Sequence, residues 1–226
     1  MSAAVTSREK ILSQVGAATP NAAPAATQLG EAYADLPRSY EHQGRLSARE
    51  RIELMIERLR EYDAEVIGCA PEELPATIAE QLALSGRHRF VVPAGAPAEW
   101  LAAGFEWKID HNLPACEIEE TEGVVTAAFC GVAGSGTIVL HHSSVEGRRV
   151  LTLLPDWHLC ILRASQVVET LPEYFSRCEQ TPALVTWISG PSATADIEMT
   201  RIKGVHGPRF LHVILVLDEG ARPTLN

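Results

Sequence analysis

The chain has 226 residues and a formal net charge of −10, with 46% of its residues hydrophobic and 21% charged, a balance that suits one α/β domain with a substantial core and excludes disorder of the whole. Its longest apolar runs, "FVVP", "TIVL" and "VLTLLP", fall far short of the roughly 20 residues that cross a bilayer, so membrane insertion is not expected. The acidic balance opposes the backbone of nucleic acid and offers no basic tract to release its counterions, so nucleic acid is not expected as a partner.

Thr6 and Glu9 stand at capping-box spacing ahead of Ile11, Leu12 and Val15, which predicts a short N-terminal helix ending near Gly16. That start is charged and lacks the apolar stretch and cleavage site of a secretory signal, so a cytoplasmic location is expected. "AATPNAAPAATQLG" has no periodic apolar face and reads as an extended linker to about Pro37, leaving residues 1–44 as helix and arm and 45–226 as the main domain.

A second capping box, Ser47 with Glu50, opens "ARERIELMIERLREY", where Ile52, Met55, Ile56 and Leu59 share one helical face,. After it come "AEVIGC" as strand, "PEELPATIAEQLALSG" as helix, "RFVVP" as strand, "PAEWLAAG" as helix and "EWKID" as strand. Such alternation predicts parallel strands with crossover helices. Beyond residue 115 the runs "GVVTAAF", "GTIVLHH", "RVLTLLP", "HLCILRASQVV", "ALVTWIS" and "FLHVILVL" read as strands, with "ETLPEYFSRCE" as the helix among them. The expected fold is α/β, a central and mostly parallel open sheet flanked by helices, with a small antiparallel addition.

Cys69, Cys116, Cys130, Cys160 and Cys178 are dispersed, form no C-x-x-C pair, and read as small buried hydrophobes without a metal or disulfide role. "CGVAGSGTIVL" sets Gly131, Gly134 and Gly136 around Ser135 and Thr137, so Ser135, Gly136 and Thr137 suit either an anion-binding turn or a tight structural one. In "TLLPDWHLCIL" the pair Asp156 and His158 suits proton shuttling or a histidine satisfied at a strand edge,. His141 and His142 point to opposite faces if their strand continues, and they lack a second cluster for a metal.

"GPSATADIEM" follows an apolar run, and loops at the carboxyl ends of parallel strands are where open α/β sheets bind ligands. Ser192 and Thr194 suit helix caps or anion ligands at the start of a helical turn. Asp196 and Glu198 diverge by about 200° on a helix and share a face in an extended segment. "RIKGVHGPRF" then brings Arg201, Lys203, His206 and Arg209 into one cationic loop, suited to a small anion or to internal pairing with Asp196 and Glu198.

"GPSATADIEM" with "KGVHGP", together with "GSGTIVL" and "LLPDWHLCIL", closely resembles the lactate-utilisation protein C family of LUD-domain proteins over residues 45–217. The resemblance implies the Rossmann-like fold shared with CoA transferases, ribose-5-phosphate isomerase and glucosamine-phosphate deaminase. It also implies a subunit of a system oxidising L-lactate to pyruvate, without its own iron–sulfur cluster, beside companion proteins that carry the clusters. The signatures fall on Ser192, Thr194, Asp196 and Glu198 and on Gly204, His206, Gly207 and Pro208. The chain departs from the family pattern at Gly134, where relatives carry Asp or Glu.

On this reading Ser135, Gly136, Thr137, Ser192, Thr194, Arg201, Lys203 and Arg209 are candidates for binding a small anionic ligand. His206 is the first candidate for proton transfer because its ordinary pKa lies near neutrality, with Asp196 and Glu198 beside it. No flavin or nicotinamide fingerprint is present, so no cofactor is assigned. Two alternatives stand beside the lactate system: an independent enzyme of the broad fold acting on a small anionic or phosphorylated substrate, and a non-catalytic scaffold subunit.

Overall fold

The structure, a computed structural model, describes residues 6–18, 30, 32–37, 39–178, 182–194, 202–203 and 207–217. Most of the Pro/Ala stretch lies outside the described residues, as do Asp196, Glu198, Arg201, Gly204 and His206 and the side chains of Thr194 and Lys203. The chain divides into two units, Met1–Tyr40 and Glu41–Asn226. The first holds helix α1 (Ser7–Ala18), where Glu9 accepts from the Thr6 amide at 2.8 Å and Ile11, Leu12 and Val15 are exposed.

The second unit begins with α2 (Ala48–Glu61), whose N-terminus is closed by the Ser47–Glu50 capping box and whose buried face is Ile52, Met55, Ile56 and Leu59. Next come β1 (Glu65–Cys69), α3 (Leu74–Leu84), β2 (Arg89–Pro93) and β3 (Glu106–Asp110). They are followed by α4 (Ala115–Glu119), β4 (Gly123–Ala127), β5 (Cys130–Val132), β6 (Thr137–Leu140), β7 (Trp157–Arg163) and β8 (Val167–Val168). The remainder is α5 (Leu171–Arg177), β9 (Thr186–Ile188), β10 (Ala193–Thr194), β11 (Ile202–Lys203) and β12 (Phe210–Val216).

A six-stranded sheet runs in the order β1-β12-β7-β4-β2-β3, and every pairing in it is parallel. Its inner strands β7 and β12 are near-continuous apolar runs because helices and a second sheet cover both faces. His158, Cys160 and Leu162 face α2, whereas Trp157, Leu159 and Ile161 face α3, as the period of 2 in a strand requires. The smaller sheet, β8-β5-β6-β9, is mixed: β5 with β6 and β6 with β9 are antiparallel, and β5 with β8 is parallel. Ile138 and Leu140 of this sheet join the α2 core, and Tyr174 of α5 closes its other side with Cys130, Val132 and Val139.

Several expected elements take other forms. "PAEWLAAG" gives one 3-10 turn, Ala98–Trp100, held between Pro97 and a left-handed Gly104 (φ +93°), too short and too punctuated for an α-helix. "RVLTLLP" is not a strand but a 3-10 turn, Arg149–Thr152, that buries Leu151. The strand before His141 and His142 stops at Leu140, and His142 turns to φ +59°. "ALVTWIS" supplies β9 of the smaller sheet, not a strand of the parallel one. Its continuation is no helical turn, because Ala193–Thr194 pairs antiparallel with Ile202–Lys203.

Candidate functional site

Two chain segments meet at the amino ends of β7 and β12 and enclose a hollow of about 220 Å³. Arg149 and Thr152 from the 3-10 turn and His158 from β7 form one wall, and residues 187–193 with Gly207, Pro208 and Leu211 form the other. The Ser192 amide donates to the Pro208 carbonyl at 2.8 Å, joining the two parts of the second wall. A Cβ on Gly207 would stand a close 3.3 Å from Ser192 Cβ, and the Gly207 φ of +150° is one that residues with side chains rarely adopt,.

Ligands of parallel sheets usually sit at the carboxyl ends of the strands, and here the hollow lies at the opposite end. At β2, β3 and β4 the chain itself covers the carboxyl ends. The loop after β6 accepts from Gly95 at Ser144 (2.9 Å) and from Ala127 at Val145 (3.0 Å), and Arg148 binds Asp110, the last residue of β3, through Nε (2.8 Å) and Nη2 (2.6 Å).

Arg149 Nη1 donates to Thr152 Oγ1 at 2.9 Å, and burial lowers the Arg149 pKa from its ordinary value. Among the described residues no carboxylate forms an ion pair with Arg149. His158 is 1% exposed and sits at the start of an inner strand, not at a strand edge. Its Nε2 meets Thr126 Oγ1 at 2.8 Å. Burial, then the nearby Arg149 charge, pushes its pKa down to about 3, so the ring is neutral at physiological pH.

The other expected ligands are placed differently. Asp156 pairs not with His158 but with Arg209, through Arg209 Nε (2.5 Å) and Nη2 (2.9 Å), and with Arg87 at 3.5 Å. Hydrogen bonds from Arg209 hold the Asp156 carboxyl below its usual range. Arg209 is thus engaged by a carboxylate other than the expected Asp196 and Glu198. Ser135 and Thr137 hydroxyls lie 2.8 Å apart, and Thr137 reaches Ser189 at 2.8 Å, so the glycine turn stands behind the wall and does not line the hollow. Its Gly134 and Gly136 amides donate to the carbonyls of Glu169 and Ala133.

His141 Nε2 bonds Tyr174 and His142 bonds Gly147 and Thr186. The buried Glu146 accepts from the His141 amide and the Ser143 hydroxyl. Cys130 and Cys160 are fully buried, and burial raises their thiols to about 11 and about 12, values that suppress thiolate chemistry. Cys116, by contrast, is exposed. Arg149, Thr152 and Ser189 are among the wall residues that sequence reading missed. The Gly-Arg-Arg triplet at 147–149 was the available signal, obscured by reading the following residues as a strand.

A sequence model of the LUD domain matches residues 116–216. Lactate utilization protein C of Deinococcus radiodurans is 40% identical over 178 residues, covering 76% of this chain and 82% of that protein. Lactate utilization protein C of Bacillus pumilus is 29% identical over 206 residues, covering 80% and 84%. A crystal structure of a DUF162 family protein from Deinococcus radiodurans aligns with a TM-score of 0.64 at 36% identity, covering 76% of this chain and 99% of that one. Both walls of the hollow fall inside the matched span, and with a relative 40% identical over most of its length this chain belongs to the LUD-domain family.

Proposed function

We propose that the chain serves lactate utilisation as a cytoplasmic subunit without an iron–sulfur cluster of its own, beside companion proteins that carry the clusters and take the electrons from L-lactate. The observation that carries this reading is the 40% identity, over 76% of the chain, to a protein named lactate utilization protein C. The hollow between the 149–158 wall and the 187–193 and 207–211 wall supports a place for the small acid, with Ser192 on its rim and the Ser135–Gly136–Thr137 turn bracing Ser189 from behind. Thr194, Asp196, Glu198, Arg201, Lys203 and His206 belong to the stretch that joins the two parts of the second wall. His206 is the proposed group for moving the hydroxyl proton.

Deleting the gene is expected to abolish growth on L-lactate as sole carbon source while growth on pyruvate persists, with the full chain restoring it. Undiminished growth of the deletion strain overturns the assignment. In the restored strain His206→Gln is expected to lower lactate oxidation; unchanged oxidation removes His206 from the mechanism.

A further inference from the structure

Among the described residues, Arg149 lines the hollow and no carboxylate does. His158 adds no charge at neutral pH because its ring is buried and unprotonated. The described lining is therefore singly positive. Thr152 holds Nη1 of Arg149, which fixes the guanidinium plane and leaves its Nε–Nη2 edge without a partner among the described residues. That edge is the one that receives both oxygens of a carboxylate as parallel hydrogen bonds.

Size narrows the ligand further. The hollow of about 220 Å³ has room for several waters. An acid of three to five carbons fits it with some water left over. A coenzyme A ester or a nucleotide would extend well beyond it into solvent, and a phosphate dianion brings one charge more than the described walls neutralise.

We propose that this hollow is a binding site for a small monocarboxylate, with the Arg149 guanidinium receiving the carboxylate and Thr152 holding the guanidinium in position. The choice of L-lactate and pyruvate as first probes rests on the proposed role in lactate utilisation; the site itself rests on its own charge, shape and volume.

The test uses the purified full chain and titrations with L-lactate, pyruvate, acetate, propionate and inorganic phosphate. Wild type is expected to bind L-lactate or pyruvate. Arg149→Gln is expected to weaken that binding roughly 10- to 100-fold, the loss that follows from removing a charge-assisted pair. Arg149→Lys keeps the charge without the fork and falls between, while Arg163→Gln, at the far end of β7, leaves binding unchanged. If Arg149→Gln does not fold, the Nε–H resonance of Arg149 in wild type reads the same contact by its shift on adding ligand.

A folded Arg149→Gln that binds like wild type overturns the site, as does an Nε–H resonance that does not move, phosphate that displaces the acids at equal concentration, or a wild type that binds no monocarboxylate. In each case the lactate role is left to the growth experiment. Arg149-dependent binding of acetate or propionate, with L-lactate and pyruvate both excluded, upholds the site and overturns the lactate assignment.

Discussion

Arg148 and Arg149 are neighbours in the chain, and the fold sends them to opposite duties. Arg148 closes on Asp110 with two hydrogen bonds, and the same carboxylate accepts from the Leu113 amide at 2.9 Å. Burial alone would raise the Asp110 pKa; the Arg148 and backbone bonds outweigh it and hold the group below its ordinary 3.8. A carboxyl with a depressed folded pKa contributes stability that is complete above the unfolded value and is lost as pH falls through the folded one. Removing Arg148 strands a carboxylate that is only 3% exposed, although Arg148 itself is 41% exposed. Solvent screening of the arginine therefore brings the expected cost of Arg148→Ala to about 2–3 kcal/mol. Urea denaturation at pH 7 measures this gap, which closes as pH falls below the ordinary 3.8 and through the depressed folded value,; a gap indifferent to pH assigns the loss to packing. Arg149 has no described carboxylate to offset its desolvation, so Arg149→Gln is expected to raise ligand-free stability or leave it within about 0.5 kcal/mol. A thermal midpoint well below wild type contradicts that expectation.

The C-terminal end of helix α2, with the capping Tyr62, supports the wall of the hollow formed by residues 187–193. A Cβ on Gly136 would stand 2.6 Å from Arg58 Cβ, and one on Gly190 would stand 2.6 Å from Tyr62 Cβ and 2.7 Å from the Tyr62 carbonyl oxygen. Both glycines also adopt left-handed backbone, φ +60° and +84°. Gly190→Ala combines backbone strain with a collision and is expected to cost about 2–4 kcal/mol, while Ser47→Ala removes the helix cap and costs about 1 kcal/mol. Chemical denaturation separates the two, and near-equal losses would show that the wall does not rest on Tyr62. This platform was legible in the sequence because its determinants are local: Ser47 with Glu50 marks the cap, and the spacing of Ile52, Met55, Ile56 and Leu59 marks the face. The parallel sheet was legible because β7 and β12 are apolar on both faces. The turn at Arg149–Thr152 was hidden, since "VLTLL" has the same composition whether it forms a strand or buries Leu151 in a 3-10 turn. The membership of β9 was hidden for another reason: its pairing of Trp187 with Val139 depends on which distant strand edge is available. The hollow's place at the amino ends followed from both, because its walls are that turn and the segment after β9.

At the scale of the whole molecule, a histidine buried in an inner strand makes folding itself sensitive to mild acid. His158 is 1% exposed, bonded to Thr126 and pushed by burial and Arg149 down to about 3 from 6.5. The unfolded chain takes up a proton below 6.5, whereas the folded chain resists it until pH nears the lower value. The stability associated with the neutral ring is therefore fully present above the unfolded pKa and drains away as pH falls from 6.5 toward about 3,. The loss is at most about 1.4 kcal/mol per pH unit, or about 2 kcal/mol between pH 6.5 and 5. His141 and His212 also have lowered values through burial, so wild type alone does not isolate this contribution. His158→Gln does, because it removes one titrating group and keeps a polar atom for Thr126. The variant is expected to be less stable than wild type at pH 7.5, with the difference shrinking by about 2 kcal/mol on going to pH 5. Urea midpoints of the two proteins across that range supply the measurement, and parallel curves would show that His158 takes up its proton as readily in the folded chain as in the unfolded one. The same neutrality keeps the described walls of the hollow at a single positive charge over the pH range in which a small carboxylic acid is ionised. Binding of such an acid through Arg149 is then expected to stay constant from pH 6 to 8 by calorimetric titration, and an affinity that changes across that range overturns the expectation.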